Sequence, residues 1–258
     1  MLRVGSALKG YAIMASDGEI GTVGDLLFDD KTWKVRWIVV DTGSWLTGRQ
    51  TLLHPSAIVK TDYLQQVVTV SLTKTQVQNG PNILTDQPVS RQMQNSLFEY
   101  YGWDPLWGGS RFERGVIASP LQPSHNLDTA LRGATSFEAH LADQDVDLRS
   151  MVAVTGYHCH ASDGVIGHLQ DVLIDDGTWT ISYLIIDTAN WWPGQRVLLS
   201  PHAVKTINWS RSQIELSISR DQVKASPPWD PLAIVDQAYE DRLHHHYGWP
   251  DMAYSQET

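Results

Sequence analysis

From Trp33 to Thr42 the chain alternates with a period of two, with Trp33, Val35, Trp37 and Val39 on one side and Lys34, Arg36, Ile38 and Val40 on the other. A run so rich in Val, Ile and Trp predicts a β-strand. Ahead of it, Gly10–Ala15 predicts a short strand that turns at Ser16-Asp17-Gly18, because Asp-Gly supplies the positive φ a hairpin needs. Ile20–Phe28 is the return strand and Asp29-Asp30-Lys31 the next turn. Behind it come the glycine-bracketed loop Gly43–Gly48, a strand at Arg49–Leu53 closing at Pro55, and short strands at Ala57–Lys60 and Gln66–Leu72. Six short strands in about 65 residues, with no crossover helix between them, predict a small antiparallel β-barrel. Closure of the barrel would remove the exposed edges of such short strands.

The pattern then becomes helical. Thr73–Val77 reads as one helical turn, broken at Asn79-Gly80-Pro81, and a helix capped by Ser90 runs to a stop at Gly102. The whole sequence of elements occurs a second time. Ala15–Trp45, ASDGEIGTVGDLLFDDKTWKVRWIVVDTGSW, returns as Ala161–Trp191, ASDGVIGHLQDVLIDDGTWTISYLIIDTANW, at a constant offset of 146 positions. Leu2-Arg3 matches Leu148-Arg149, and Tyr101-Gly102-Trp103 matches Tyr247-Gly248-Trp249. A repeat of about a hundred residues is too long for a solenoid unit, so each copy is expected to be a small domain. The expected layout is a barrel with a helical tail over 1–103, a linker over 104–147 and a second barrel with its tail over 148–258. Within the linker, Asp128–Leu141 can hold a short helix.

Composition narrows the partners. The chain has 29 acidic and 19 basic residues, a net charge of -10, and no run of Lys or Arg. Phosphate backbones are bound by Lys and Arg, so no nucleic-acid partner is expected. No stretch approaches the roughly 20 apolar residues of a membrane span, and MLRVGSALKGYAIMAS is not patterned as a signal peptide. Cys159 is the single cysteine, which fits a reducing, cytoplasmic setting. Of the eleven tryptophans, several recur at equivalent positions (Trp33/Trp179, Trp45/Trp191, Trp103/Trp249), which marks them as fold determinants first.

The motifs GYAIMASDGEIGTVGDLLFDD, WKVRWIVVDTGSWL and RQTLLHPSAI, repeated as GYHCHASDGVIGHLQDVLIDD, WTISYLIIDTANWWPG and RVLLSPHAV, resemble the PRC-barrel family. PVSRQ at Pro88–Gln92 and YYGWDPLW at Tyr100–Trp107 look like its stand-alone bacterial two-copy members. The resemblance implies a barrel similar to the cytoplasmic domain of the photosynthetic reaction centre H subunit and to the C-terminal domain of the ribosome maturation factor RimM. The first is anchored by a membrane helix and the second carries a separate N-terminal barrel, whereas here Leu2 already opens the repeat. What carries over is a general role in assembly, docking or local electrostatic tuning, without covalent chemistry.

Several residues invite chemical readings. Asp25/Asp171, Asp29/Asp175, Asp30/Asp176 and Asp41/Asp187 recur in both copies. Clustered carboxylates suit Ca²⁺ or Mg²⁺, and paired ones suit acid–base work. Against this, all but Asp25 and Asp171 lie at or beside an expected turn, where a carboxylate accepts backbone N–H bonds. His158 and His160 share a strand face with His168 nearby, an arrangement that would suit Zn²⁺, yet the first copy has Ala12, Met14 and Thr22 there. His244-His245-His246 closes the last helix, where histidines suit the helix dipole. Trp45-Leu46 and Trp191-Trp192 stand in glycine-containing loops, as an interface or as caps of the barrel mouth. No nucleophile elbow, phosphate loop or paired-cysteine motif occurs. The reading is a non-enzymatic interaction or assembly module with no cofactor, whose partner is a protein or a second copy of the chain. Alternatives are a small-molecule or metal-binding protein that uses the inter-barrel cleft, an accessory to electron transfer of the reaction-centre type, and a hydrolase built on the repeated carboxylates.

Overall fold

The hairpin at Asp17-Gly18 sets the first sheet. Strand β2 (Ala12–Ala15) turns there into β3 (Gly18–Asp29), with Ala15 opposite Gly18 and Ala12 opposite Thr22. The computed structural model describes residues 1–43, 46, 50–81, 91–103, 148–188, 195–231 and 234–250. Strand β4 (Val35–Asp41) runs back along β3, and β5 (Gln50–Leu53) along β4. Strands β6 (Ile58–Asp62) and β7 (Val67–Val70) complete the order β5-β4-β3-β2-β7-β6. The second copy repeats it with β9 (His158–Ala161), β10 (Gly164–Asp175), β11 (Thr180–Asp187), β12 (Arg196–Leu199), β13 (Val204–Asn208) and β14 (Gln213–Leu216). The six strands expected in each copy are all present.

Two features differ from the expected antiparallel closed barrel. The pairs β2–β7 and β9–β14 are parallel, so each sheet is mixed. The reason lies at Pro55–Ala57, a 3₁₀ turn that carries the chain from β5 into β6 without reversing it. One missing reversal brings β7 home alongside β2. Among the described residues no ladder joins β5 to β6, so the sheet curls around its core without hydrogen-bonded closure.

The largest difference is at the start of each copy. Strand β1 (Leu2–Val4) pairs with β10 of the other copy, Leu2 opposite Asp175 and Val4 opposite Leu173. Strand β8 (Leu148–Ser150) pairs likewise with β3, Leu148 opposite Asp29 and Ser150 opposite Leu27. Each copy therefore completes its neighbour's sheet. Strands of three residues are too short for alternation to reveal them.

Helices cover the outer faces. α1 (Lys74–Asn79) follows β7 with a Thr73–Gln76 capping box, and α2 (Arg91–Tyr101) lays Leu97 and Phe98 on Trp37 and Leu52. The expected cap at Ser90 and the linker over 104–147 lie outside the described residues. In the second copy α3 (Met151–Val154) follows β8, α4 (Arg220–Lys224) follows β14, and α5 (Gln237–Tyr247) lays Tyr239 and Leu243 on Tyr183 and Leu198. Because both faces of β4 are covered, Trp37 on one side and Ile38 and Val40 on the other are all buried. No described helix is long and apolar enough to cross a membrane.

Glycine is required where strands approach most closely. At Gly21 (φ 146) a Cβ would lie 2.2 Å from the Asp41 carbonyl oxygen, and Gly167 (φ 145) stands in the same relation to Asp187 at 1.9 Å. Gly10 (φ 84) meets nothing within 4 Å. Gly21→Ala is therefore expected to cost ~3 kcal/mol through strain and overpacking together, and Gly10→Ala about 1–2 kcal/mol through strain alone. Urea denaturation of the two variants checks the order.

Candidate functional site

The two copies meet at a turn in each that carries a tryptophan in an unusual conformation. Trp33 (φ 58) and Trp179 (φ 54) are left-handed, a conformation that bulky residues adopt only when their surroundings hold them there. Asp29 Oδ1 accepts the N–H groups of Lys31 and Thr32, and the Trp33 N–H donates to the Asp29 carbonyl at 2.8 Å. This turn is why β4 starts at Val35 and leaves out the expected Trp33. The Trp33 carbonyl accepts the Ile181 N–H at 2.7 Å, and the Trp179 carbonyl accepts the Val35 N–H at 2.8 Å. Between them Lys34 bridges to Thr180, its own counterpart in the repeat, which locates the pseudo-two-fold axis.

Asp25, Asp171, Asp30 and Asp176 hold this junction. Asp25 and Asp171, the pair with no turn of their own, take up the start of the other copy's helical turn. Asp25 Oδ1 accepts the Val152 N–H at 3.2 Å and its Oδ2 the Ser150 hydroxyl, while Asp171 Oδ1 accepts the Ser6 N–H at 3.1 Å. Asp30 accepts from Arg149 Nε at 3.1 Å, and the Arg149 guanidinium lies 3.9 Å above the Trp209 ring. Asp176 faces Arg3 Nε at 3.6 Å and accepts from the Tyr63 hydroxyl at 2.8 Å, with Arg3 4.0 Å above the Tyr63 ring. Both arginines sit on the exchanged strands, so each clamp fastens one copy's strand to the other's turn. Asp175 accepts from the Gly177 N–H and the Thr178 hydroxyl of its own turn, and Asp41 from the Gln50 amide. Each of these carboxylates has a structural partner, and no group of three His, Cys, Asp or Glu among the described residues is placed to hold a metal ion.

Residues 5–77, covering β2 to β7 and most of α1, match the family model of the PRC-barrel domain. The chain carries a PRC-barrel domain. No curated protein matches the chain. The second sheet repeats the same strand order and forms a second barrel-like unit.

The other singled-out residues fall in separate places on the two units. His158 stands opposite His168 in the β9–β10 ladder, while His160 faces Val165 and Glu215. Cys159 is fully buried in the core, and burial pushes its thiol up to about 12. Leu46 is half-buried, its carbonyl accepting from the Thr42 hydroxyl at 3.1 Å; Trp45, Trp191 and Trp192 lie outside the described residues.

One cluster escaped the sequence reading. His244 is buried on the inner face of α5, where its Nε2 lies 2.9 Å from the Tyr183 hydroxyl and its Nδ1 donates to the Pro250 carbonyl at 2.6 Å. The same hydroxyl donates to Glu240, which is also buried. The first barrel has Trp37, Gln94 and Phe98 at these positions, with the Trp37 indole donating to Gln94 at 3.3 Å. The signal was the change of Gln94 to Glu240 and Phe98 to His244 between otherwise similar helices. His246 turns away to the Gln222 carbonyl, so the three consecutive histidines do not converge.

Two measurements test the clamps. Arg149 and Asp30 are largely buried, with side chains 23% and 13% exposed, so Arg149→Ala is expected to cost about 2–3 kcal/mol in urea denaturation. Burial opposes ionisation of Asp176, but hydrogen bonds from the Met1 amine and Tyr63, with the charges of that amine and Arg3, outweigh it and hold the carboxyl below its ordinary range. A depressed carboxylate stabilises the fold above its unfolded-state pKa and loses that contribution as pH falls through the folded value. Melting temperature should therefore drop below about pH 4, and Asp176→Asn should make that acid limb shallower.

Proposed function

We propose that this protein is a non-enzymatic docking or assembly module with two PRC-like heads, 1–103 and 148–258, joined by the segment 104–147. The observation that carries the reading is where the junction lies. β4 starts beside the axis at Val35 and ends at Asp41, and β11 starts beside it at Thr180 and ends at Asp187. Seven residues of strand span about 20 Å. Asp41 and Asp187 therefore stand at opposite, outward ends of the pair, and the sequence that follows them carries Trp45-Leu46 and Trp191-Trp192 respectively. The carboxylates that would serve catalysis are engaged either in their own turns, as Asp29 and Asp175 are, or in the junction, as Asp25, Asp30, Asp171 and Asp176 are. This supports a role without covalent chemistry. A module of this kind engages two sites on a protein partner, or one site on each of two copies, and gains avidity from the fixed spacing. A buried, single cysteine is in keeping with a cytoplasmic setting.

Native co-purification identifies the partner, and quantitative capture with variants then tests the reading. Trp45→Ala and Trp191→Ala should each weaken capture about tenfold, as loss of an aromatic anchor does, and leave the urea midpoint unchanged. Capture at wild-type strength by the double variant would overturn it.

A further inference from the structure

Two clefts flank the junction, one on each side of the axis, and the fold alone would make them equal. They are not. One, of about 760 Å³, lies between the Asp30–Trp33 turn of the first barrel and Thr180–Ser182, Ser200–His202 and β13 of the second. Its counterpart, lined by Ser56, Val59, Lys60, Tyr63, Gly177 and Trp179 among others, holds about 300 Å³. Thr180 and Ser182, which help to line the larger cleft, stand where the first barrel has the longer Lys34 and Arg36.

The placement of the basic groups differs along with the size. Lys31, His202 and Lys205 line the larger cleft with exposed side chains, and their counterparts in the smaller one are Gly177, Ser56 and Val59, while Lys60 of the smaller cleft is matched by Thr206. The repeat thus contains its own control: the same backbone folds without these three basic residues, so the fold does not demand them. The one carboxylate lining the larger cleft, Asp30, is matched by Arg149 at 3.1 Å. In a chain of net charge -10, a cleft lined by two lysines, an imidazole and several hydroxyls gathers groups that can meet an anion. A cleft of this volume is in the range that holds a small molecule, and the Trp33 indole supplies an apolar wall on one side. Lysine ammonium groups are point charges suited to a phosphate or carboxylate group.

We propose that the larger junction cleft binds a small organic oxyanion, its phosphate or carboxylate group at Lys31, His202 and Lys205 and its body against Trp33. The site goes beyond the docking reading and stands independently of it. Because it is built from both barrels, its ligand favours the joined state.

Thermal melting and calorimetry with inorganic pyrophosphate and with citrate, at ionic strength matched by sodium chloride, test the site. A ligand that binds only the folded chain raises the melting temperature in a saturable way, by about 5–10 °C at a hundredfold excess over its dissociation constant. At least one probe is expected to do so. The double substitution His202→Ser with Lys205→Val installs the residues of the other cleft and should abolish the shift while leaving the unliganded melting temperature unchanged. His202→Gln with Lys205→Gln repeats the comparison with longer side chains. Trp45→Ala and Trp191→Ala should leave the shift intact, which separates this site from the docking surfaces. Absence of a saturable shift with both probes, or a shift that survives both double substitutions undiminished, overturns the proposal.

Discussion

A strand of three residues makes too few ladder hydrogen bonds to hold itself in place, and the junction of this molecule depends on two such strands. Leu2–Val4 and Leu148–Ser150 each complete the sheet of the other copy. What fixes them is an arginine at the centre of each, inserted between a turn aspartate and an aromatic ring: Arg149 between Asp30 and Trp209, Arg3 between Asp176 and Tyr63. Asp25 and Asp171 then hold the backbone where each exchanged strand turns into its helical turn. The Arg149–Asp30 contact is a charge-assisted hydrogen bond, about twice as strong as a neutral one. The Arg3–Asp176 ion pair takes the same place on the other side of the junction. The consequence reaches the core, where one cluster of buried side chains runs from Leu8 and Ile13 through Phe28 to Ile166, Trp179 and Leu184 without a break between copies.

Duplication has let the copies diverge where the fold tolerates it. Beneath α2 the first barrel fills the space with Trp37, Phe98 and His54 in ring contact; beneath α5 the second places Tyr183, Glu240 and His244 in a hydrogen-bonded cluster. Both arrangements satisfy the same cavity, one by aromatic packing and the other by polar pairing, and neither disturbs the strand order. The two junction clefts diverge in the same manner. The backbone symmetry is kept and the side-chain chemistry is not, so positions that differ between equivalent sites are the ones released from folding duties.

Much was legible along the chain. Alternation at Val35–Val40 gave β4, Asp17-Gly18 and Asp163-Gly164 gave the hairpins, and the constant offset gave two like units. These are local signals, carried by residues within a few positions of each other. The same locality explains a misreading at Trp33: its place in the period-two pattern extends the strand, yet the Asp29 cap pulls it into a left-handed turn. The carboxylates were recognised as turn residues correctly for Asp29 and Asp175. The partners of Asp25, 125 or more positions away at Ser150 and Val152, had no local trace.

The sequence by itself therefore determined the elements, their duplication and the PRC-barrel character of residues 5–77, because period, turn chemistry and repeat spacing are written in neighbouring residues. Tertiary structure alone decided that the first strands cross over, that β7 returns parallel to β2, that Asp25, Asp30, Asp171 and Asp176 bind the other copy, and that Lys31 lines one cleft with His202 and Lys205. Each of these depends on which distant surfaces come into contact, and contact between copies is settled by the packing of a shared core that no single stretch of the chain contains.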